Sequence, residues 1–512
     1  MSGAVRVQLP MRASPASNHV TSEPRPSTSA PRRSRLARCL LGAGLGLATL
    51  LAGPSVLAHG AFPQSAFMYE DRSDPNRLWV GASFGLLTSP DRGDTWYWLC
   101  EEAPDYEGVK PKMDVSASGA LLVGSFDGVS VSTSLGCDWT VPDGPKDKFV
   151  SFVHTEESDP HSVLALVSMG QPGNVFLNQV WATANDGQSF TQLGTDLDTA
   201  LLSFAIVSAK SDAQRLYVSG NLKPEDGGPA SGVLLVSSDR GQTWDYRPIP
   251  GADSTNPPHV LGVHPTNPDQ VFVRIDGDSK DQLLVSDDAG QTFTQLLDKQ
   301  AELFGFAIDP DGSKIRVGFG DARDPTLDVD ENDVGIYSAD SSSLTPSGFS
   351  RDLEGAIGCL RWIGSELYAC TSQFFHGYEL GRSTDGKSFE PVLTLSGVDD
   401  VLSCPAESRA AQYCPAKWPT TCALIGKCVP GQDAGVGGNS GSGGSGGTSN
   451  GSGGASGNGD DGNGCGCRVP GAPHISPASD SRRGPWMLGV GALIAGAAME
   501  RRRKQRKTTS RS

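Results

Sequence analysis

The sequence predicts an all-β protein: a seven-bladed β-propeller of four-stranded blades, followed by a small Cys-rich segment, a Gly/Ser linker and a C-terminal apolar segment. Three observations predict it. An eight-residue pattern, Ser-x-Asp-x-Gly-x-Thr-Trp, recurs between residues 89 and 389. Its copies stand 43 to 54 residues apart, the length a four-stranded blade needs. The chain between copies reads as short apolar strands separated by Pro/Asp/Gly turns.

Residues 1–58 read as a polar start and a secretory signal. The first 30 are rich in Pro, Ser and Thr, a composition that builds no core. Arg32, Arg33, Arg35 and Arg38 then precede an apolar run, Cys39 to Leu51, and Ser55-Val56-Leu57-Ala58 offers small residues to signal peptidase. A retained membrane anchor is the alternative; the run is short for that and broken by Gly and Pro. Charge is uneven along the chain. The total is 42 Lys/Arg against 58 Asp/Glu, but residues 59–464 hold 25 basic and 55 acidic residues, a net of −30. Such a body repels nucleic acid and anionic membrane, and Ca2+ is the cofactor it would attract, if any.

Residues 59–403 form the predicted propeller. Each unit opens with two short strands around a turn, as in Phe67-Met68-Tyr69 with Leu78-Trp79-Val80 and Leu360-Arg361-Trp362 with Leu367-Tyr368. A third strand enters the repeated turn and a fourth leaves it. The full copies are Ser89–Trp96, Ser237–Trp244 and Ser286–Phe293, the last with Phe for Trp. Thr183–Phe190 and Arg382–Phe389 are looser, and Ser132–Trp139 and Ser338–Thr345 are worn. Seven copies imply seven blades. A strand from residues 59–65 or from Asp399–Ser403 would close the ring, and the sequence does not choose.

The turn has a local physical task. Asp91, Asp239 and Asp288 accept backbone N–H groups of the turn. Gly93, Gly241 and Gly290 supply positive φ. Ser89, Ser237, Ser286, Thr95, Thr243 and Thr292 tie the strand ends through their hydroxyls. Trp96, Trp244 and Phe293 pack between sheets. None of this needs a reactive group at the surface, so the motif reads as a clasp.

These residues resemble the Asp-box, or BNR, repeat, over about 330 residues of the chain. The resemblance implies a β-propeller and leaves function open. The repeat occurs in sialidases, xyloglucan-type endoglucanases, sortilin-like sorting receptors and photosystem assembly factors.

Cys404, Cys414, Cys422 and Cys428 lie in a segment spanning 404–430. In an exported chain they read as a small disulfide knot with three connectivities open. Cys359 and Cys370 can face each other across a hairpin, while Cys100 and Cys137 sit at neighbouring turns; eight cysteines make four bridges. Residues 431–464 are almost all Gly, Ser, Asn and Asp, a flexible linker. In 465–512, Cys465 and Cys467 precede an apolar run, Trp486 to Met499, and a basic end. This tail resembles the MYXO-CTERM sorting signal, which implies a dedicated sorting protease and membrane anchoring of the C-terminus at the cell surface or outer membrane. A plain C-terminal anchor is the alternative.

The chemistry that sialidases use calls for an arginine triad and a Phe/Tyr-Arg-Ile-Pro motif. The chain has Ala61-Phe62-Pro63-Gln64 instead, and offers only Arg274, Arg316 and Arg361 on or beside strands. Paired carboxylates for glycoside hydrolysis cannot be selected among so many. Asp328, Asp330 and Asn332 form a Ca2+ candidate, but Asp333 and Ala339 stand where an EF-hand loop needs Gly and Glu, and a solvated acidic turn is favoured. The resulting expectation is an exported, surface-anchored, non-catalytic module binding a glycan or protein ligand. The alternative is a surface glycoside hydrolase of the sialidase/Asp-box type.

Overall fold

The computed structural model describes residues 63–428, apart from 107–111, 174, 225, 278–279 and 321–329. Chain contacts separate Met1–Gly60 from Ala61–Ser512, and every described residue lies in the second unit. The expected signal segment, linker and sorting tail with Cys465 and Cys467, and Asp328 of the Ca2+ candidate, lie outside the described residues.

The described chain is a seven-bladed propeller. Its strands fall into seven sheets, each built from consecutive antiparallel strands, the first with one further strand from late in the chain. The blades span residues 65–99, 112–140, 150–193, 201–253, 258–299, 302–354 and 357–393. The second sheet has three strands, and a lone bridge from Val131 to Thr140 stands for the fourth. The inner strands are Ser65–Glu70, Lys112–Val115, Val150–Thr155, Leu201–Ala209, Pro258–His264, Glu302–Ile308 and Ile357–Ile363. Each touches the next, and the seventh touches the first, so they close a ring about one axis.

The sequence folds this way because the second strand of each blade is apolar on both faces. Val163, Ala165 and Val167 pack toward blade 2, while Leu164 and Leu166 pack toward blade 4. Strands covered on both faces read as continuous apolar runs, as Leu78–Ala82 does. A separate apolar cluster fills each junction from blades 2–3 to blades 6–7. One larger cluster joins blades 7, 1 and 2.

That larger cluster marks the ring closure. Residues 65–70 are simply the inner strand of blade 1. Asp400–Val401 adds a fifth strand to the outer edge of the same blade, parallel to Tyr97–Leu99. So blades 1 and 7 are each complete in sequence, and the second of the two expected closing segments acts as a strap. Helix α1 (Gln373–His376) tops blade 7, and helix α2 (Arg409–Leu424) follows the strap. α2 carries Pro415 and Pro419 in its interior. Proline there removes a helical hydrogen bond, so external anchors must hold the helix.

Candidate functional site

The repeated turns join the third and fourth strands of their blades. Antiparallel order places them on the face that also carries the turns between first and second strands. In blade 4, Asp239 Oδ1 accepts the Thr243 amide at 2.9 Å and the Ser237 hydroxyl at 2.8 Å, and Oδ2 accepts the Thr243 hydroxyl at 2.6 Å. Ser237 Oγ accepts the Gly241 amide at 2.7 Å. Blade 1 repeats this set with Ser89, Asp91, Gly93 and Thr95, and blade 5 with Ser286, Asp288, Gly290 and Thr292. The Thr243 hydroxyl and amide, then the Ser237 hydroxyl, pull the Asp239 carboxyl down to about 2; Thr292 does the same for Asp288.

Two features of the turn exceed the sequence reading. The residue before the glycine is also left-handed, at φ 57° for Arg240 and 56° for Ala289. Its amide reaches the facing turn of the same blade, to Gln214 O and Asp269 O respectively, so the turns are tied in pairs. Blade 7 is offset by one residue from the expected Arg382 start. Ser383 and Asp385 fill the Ser and Asp roles, and the Gly386 amide reaches Ser383 Oγ at 2.8 Å with one residue deleted. A side chain at Gly386 would strike the Arg316 guanidinium, 2.1 Å from an ideal Cβ.

The aromatic residues differ in what they tie. Trp96 Nε1 donates to Gly93 O and, across the ring seam, to Val392 O of blade 7, each at 3.1 Å. Trp244 Nε1 has no hydrogen-bond partner among the described residues. Phe293 packs against the cluster between blades 4 and 5.

The cysteines correct the expected knot. Cys404, Cys414, Cys422 and Cys428 do not bond only among themselves. Cys414 bonds Cys100 and Cys404 bonds Cys137, so one bridge ties α2 to blade 1 and another ties the strap that precedes it to blade 2. Only Cys422–Cys428 lies within the segment. Cys359 and Cys370, opposite each other in the blade 7 hairpin, make the fourth bridge. The anchors that α2 needs are here. Its Arg409 amide meets Asp138, its Arg409 side chain meets Glu102 O, Lys417 pairs with Glu102, and Trp418 lies 5.7 Å from the Trp98 ring.

The opposite face carries the turns between second and third strands and the links between blades. There, α1 presents Phe374 and Phe375 at 77% and 58% exposure. This aromatic tip is firmly held. The buried Glu379 carboxylate accepts the Gln373 amide at 3.0 Å and the Ser65 amide of blade 1 at 2.8 Å, and Gln373 Oε1 accepts the Leu395 amide at 2.8 Å. A small hollow beside it is lined by Gln64, Ser65, Phe304, Gly358, Thr371 and Ser372, among others.

Strand register resolves the axial channel into tiers. One tier carries Arg361, Tyr69, Asp114 and His154 on blades 7, 1, 2 and 3, then Val207, Gly262 and Phe306 on blades 4 to 6. Two residues away stand Phe67, Lys112 and Phe152 on blades 1 to 3, then Ala205, His259 and Leu303 on blades 4 to 6, with Cys359 on blade 7. Residues between these tiers, such as Met68, Met113 and Val153, are buried; within the tiers Arg361, His154, Lys112, His259, Phe67, Phe152 and Phe306 are partly exposed, while Tyr69, Asp114, Val207, Ala205, Leu303 and Cys359 are buried. Lys112 of blade 2 acts on His259 of blade 5, and Arg361 of blade 7 acts on His154 of blade 3. Such pairs meet only across the axis. Burial, then Arg274 and Lys112, pushes His259 down to about 3; burial likewise lowers His154. Both rings are therefore neutral near pH 7. The Lys112 ammonium lies 5.2 Å from the Phe67 ring centroid and 5.6 Å from that of Phe152. Asp114 accepts the Thr155 and Val115 amides.

The three arginines do not converge. Arg274 pairs with Asp276 and Asp281, and Arg316 is buried against Asp309 and Asp352 away from the axis. Arg361 alone of the three occupies a channel tier. In the acidic loop, Asp330 accepts the amide and side chain of Asn332, and Asp333 pairs with Lys299. Among the described residues no group of three or more His, Cys, Asp or Glu is arranged to hold a metal ion, and no helix is long and apolar enough to cross a membrane.

The family model described as Sortilin, neurotensin receptor 3 (Sortilin-Vps10) matches residues 178–341. That match and the seven blades fit an Asp-box-like propeller. No curated protein sequence matches the chain. Among solved structures, an ancestral GH74 enzyme is similar at 14% identity and TM-score 0.47, covering 64% of this chain and 46% of its own. The GH74 xyloglucanase from Xanthomonas campestris matches at 17% identity and TM-score 0.35, over 63% of this chain and 59% of that one. YCF48 from Cyanidioschyzon merolae matches at 15% and 0.40, over 60% and 93%. The chain thus spans about half the length of the first of these structures.

Proposed function

We propose that this protein is an exported, surface-anchored propeller that binds a glycan or protein ligand without catalysis. The observation that carries the reading is the aromatic tip of α1. A buried carboxylate and two blade contacts fix a loop whose two phenylalanines face solvent. Ordering exposed aromatic surface has a cost that a ligand offsets, and rigidly mounted loops are where propellers and similar scaffolds carry recognition. The Asp-box residues support the same reading, because their polar groups are consumed within the turns. Export and anchoring rest on the signal-like start, the processing by signal peptidase and a sorting protease that it and the tail imply, and the basic C-terminal end.

A surface glycoside hydrolase is the alternative. It needs two carboxylates facing each other across a cleft. In the two channel tiers, among the described residues, Asp114 is the one carboxylate, and it is occupied by backbone amides. Glycan-array and pull-down screens of the exported chain, with and without Ca2+, test the proposal. Saturable capture of an intact ligand is expected. Release of cleaved sugar would favour the hydrolase instead.

A further inference from the structure

The channel tiers are chemically two-sided. Blades 7 and 1 to 3 supply Arg361, Lys112, Asp114 and His154, whereas blades 4 to 6 present Phe306 and His259, their Val207, Ala205 and Leu303 being buried in the junctions between blades. Among the described residues, Arg361 is the only arginine with neither a hydrogen bond nor an ion pair. It is partly buried in the channel, on a strand clamped by the Cys359–Cys370 bridge. A guanidinium held there has lost part of its hydration and gained no acceptor, a state that an incoming anion relieves.

We propose that the axial channel binds a small amphipathic carboxylate, its head on Arg361 and its apolar body against Phe306. The charge balance selects a monoanion. Within the two tiers, Lys112 and Arg361 are cationic, Asp114 is anionic, and both histidines are neutral near pH 7, which leaves those tiers one net positive charge, with Glu70 and Glu302 at the ends of the same inner strands. A carboxylate matches the flat fork of a guanidinium with two parallel hydrogen bonds. The surrounding body, at net −30 over residues 59–464, repels acidic polymers and leaves small monoanions the better guests. Phe306, half-buried on blade 6, gives the ligand body apolar contact on the side away from Arg361. This site is separate from the α1 face and does not depend on recognition there.

The test is calorimetric titration of the exported chain with phenylacetate, with its neutral isostere phenylacetamide, and with inorganic sulfate. Phenylacetate is expected to bind saturably, and the amide and sulfate at least about tenfold more weakly. Arg361→Gln should weaken phenylacetate by about tenfold or more with melting temperature and far-ultraviolet spectrum unchanged, and Arg361→Lys should fall between. Raising ionic strength should weaken phenylacetate and leave the amide unaffected. Absence of phenylacetate binding at millimolar concentration, equal binding of the amide, preference for sulfate, or an unchanged Arg361→Gln variant would each overturn the site. Ligand capture by the α1 face is measured separately and without carboxylate probes. Loss of either activity alone therefore identifies which of the two readings has failed.

Discussion

Removing one α2 bridge should destabilise the propeller by about 4 kcal/mol. The perturbation is the paired variant Cys100→Ala/Cys414→Ala, which deletes a bridge without leaving a free thiol. In the folded chain this bridge spans 314 residues and its neighbour Cys137–Cys404 spans 267. The two are not independent. With Cys137–Cys404 intact, the unfolded chain already forms one large loop. Cys100–Cys414 then closes only the stretches 100–137 and 404–414, about 47 residues in all. The chain-entropy relation gives about 14 cal/mol/K for such a loop, or about 4 kcal/mol at 25 °C. Removing both bridges removes the large loop as well, for about 10 kcal/mol, so the double loss exceeds the sum of the singles. That brings a domain of ordinary stability close to its limit. The assay is urea unfolding under non-reducing conditions, followed by tryptophan fluorescence, with each bridge deleted singly. A single deletion costing less than about 1 kcal/mol would refute the reasoning that these bridges hold the strap and α2 to blades 1 and 2.

Three further outcomes follow from the turns and the seam. Asp239 and Asp288 titrate near 2 in the folded chain against an ordinary 3.8, so the stability they supply is complete above about pH 4 and is lost as pH falls toward about 2; Asp239→Asn/Asp288→Asn should lower the melting temperature at pH 7 and flatten its fall over that window. Trp96→Phe should cost about 1 kcal/mol more than Trp244→Phe in urea unfolding, because only Trp96 donates across the seam. Glu379→Ala leaves the Ser65 and Gln373 amides without their acceptor and should cost about 2–4 kcal/mol by the same measurement.

The blades were legible because the clasp is local. A Ser, an Asp and a Gly at fixed offsets suffice to shape a turn, and the copies, full, looser and worn, measure out the ring. Where the local signal shortens by one residue, as at Ser383–Gly386, the sequence pattern placed the turn but misassigned its first residue. The cysteine pairing was not legible, since it depends on the strap carrying α2 back to blade 1, a contact between residues some 300 apart. α2 itself was hidden by Pro415 and Pro419, whose usual effect on a helix is overridden by two bridges and the Arg409 and Lys417 anchors. The channel tiers were hidden for a different reason. Bulges at Ala66, Leu261 and Phe304 shift the inner strands by differing steps, so spacing alone cannot say which residues share a level. Arg361 was visible as a strand arginine, but its lack of a partner is a fact of packing.

The central claim is that the α1 face recognises a ligand that the protein does not cleave. The most direct measurement compares the exported wild-type chain with Phe374→Ser/Phe375→Ser on one glycan and protein capture panel, with sugar release monitored in the same wells. The account predicts saturable capture by the wild type, capture reduced at least about tenfold in the variant at unchanged melting temperature, and no cleaved sugar. Equal capture by the variant, or sugar released in step with capture, would contradict it.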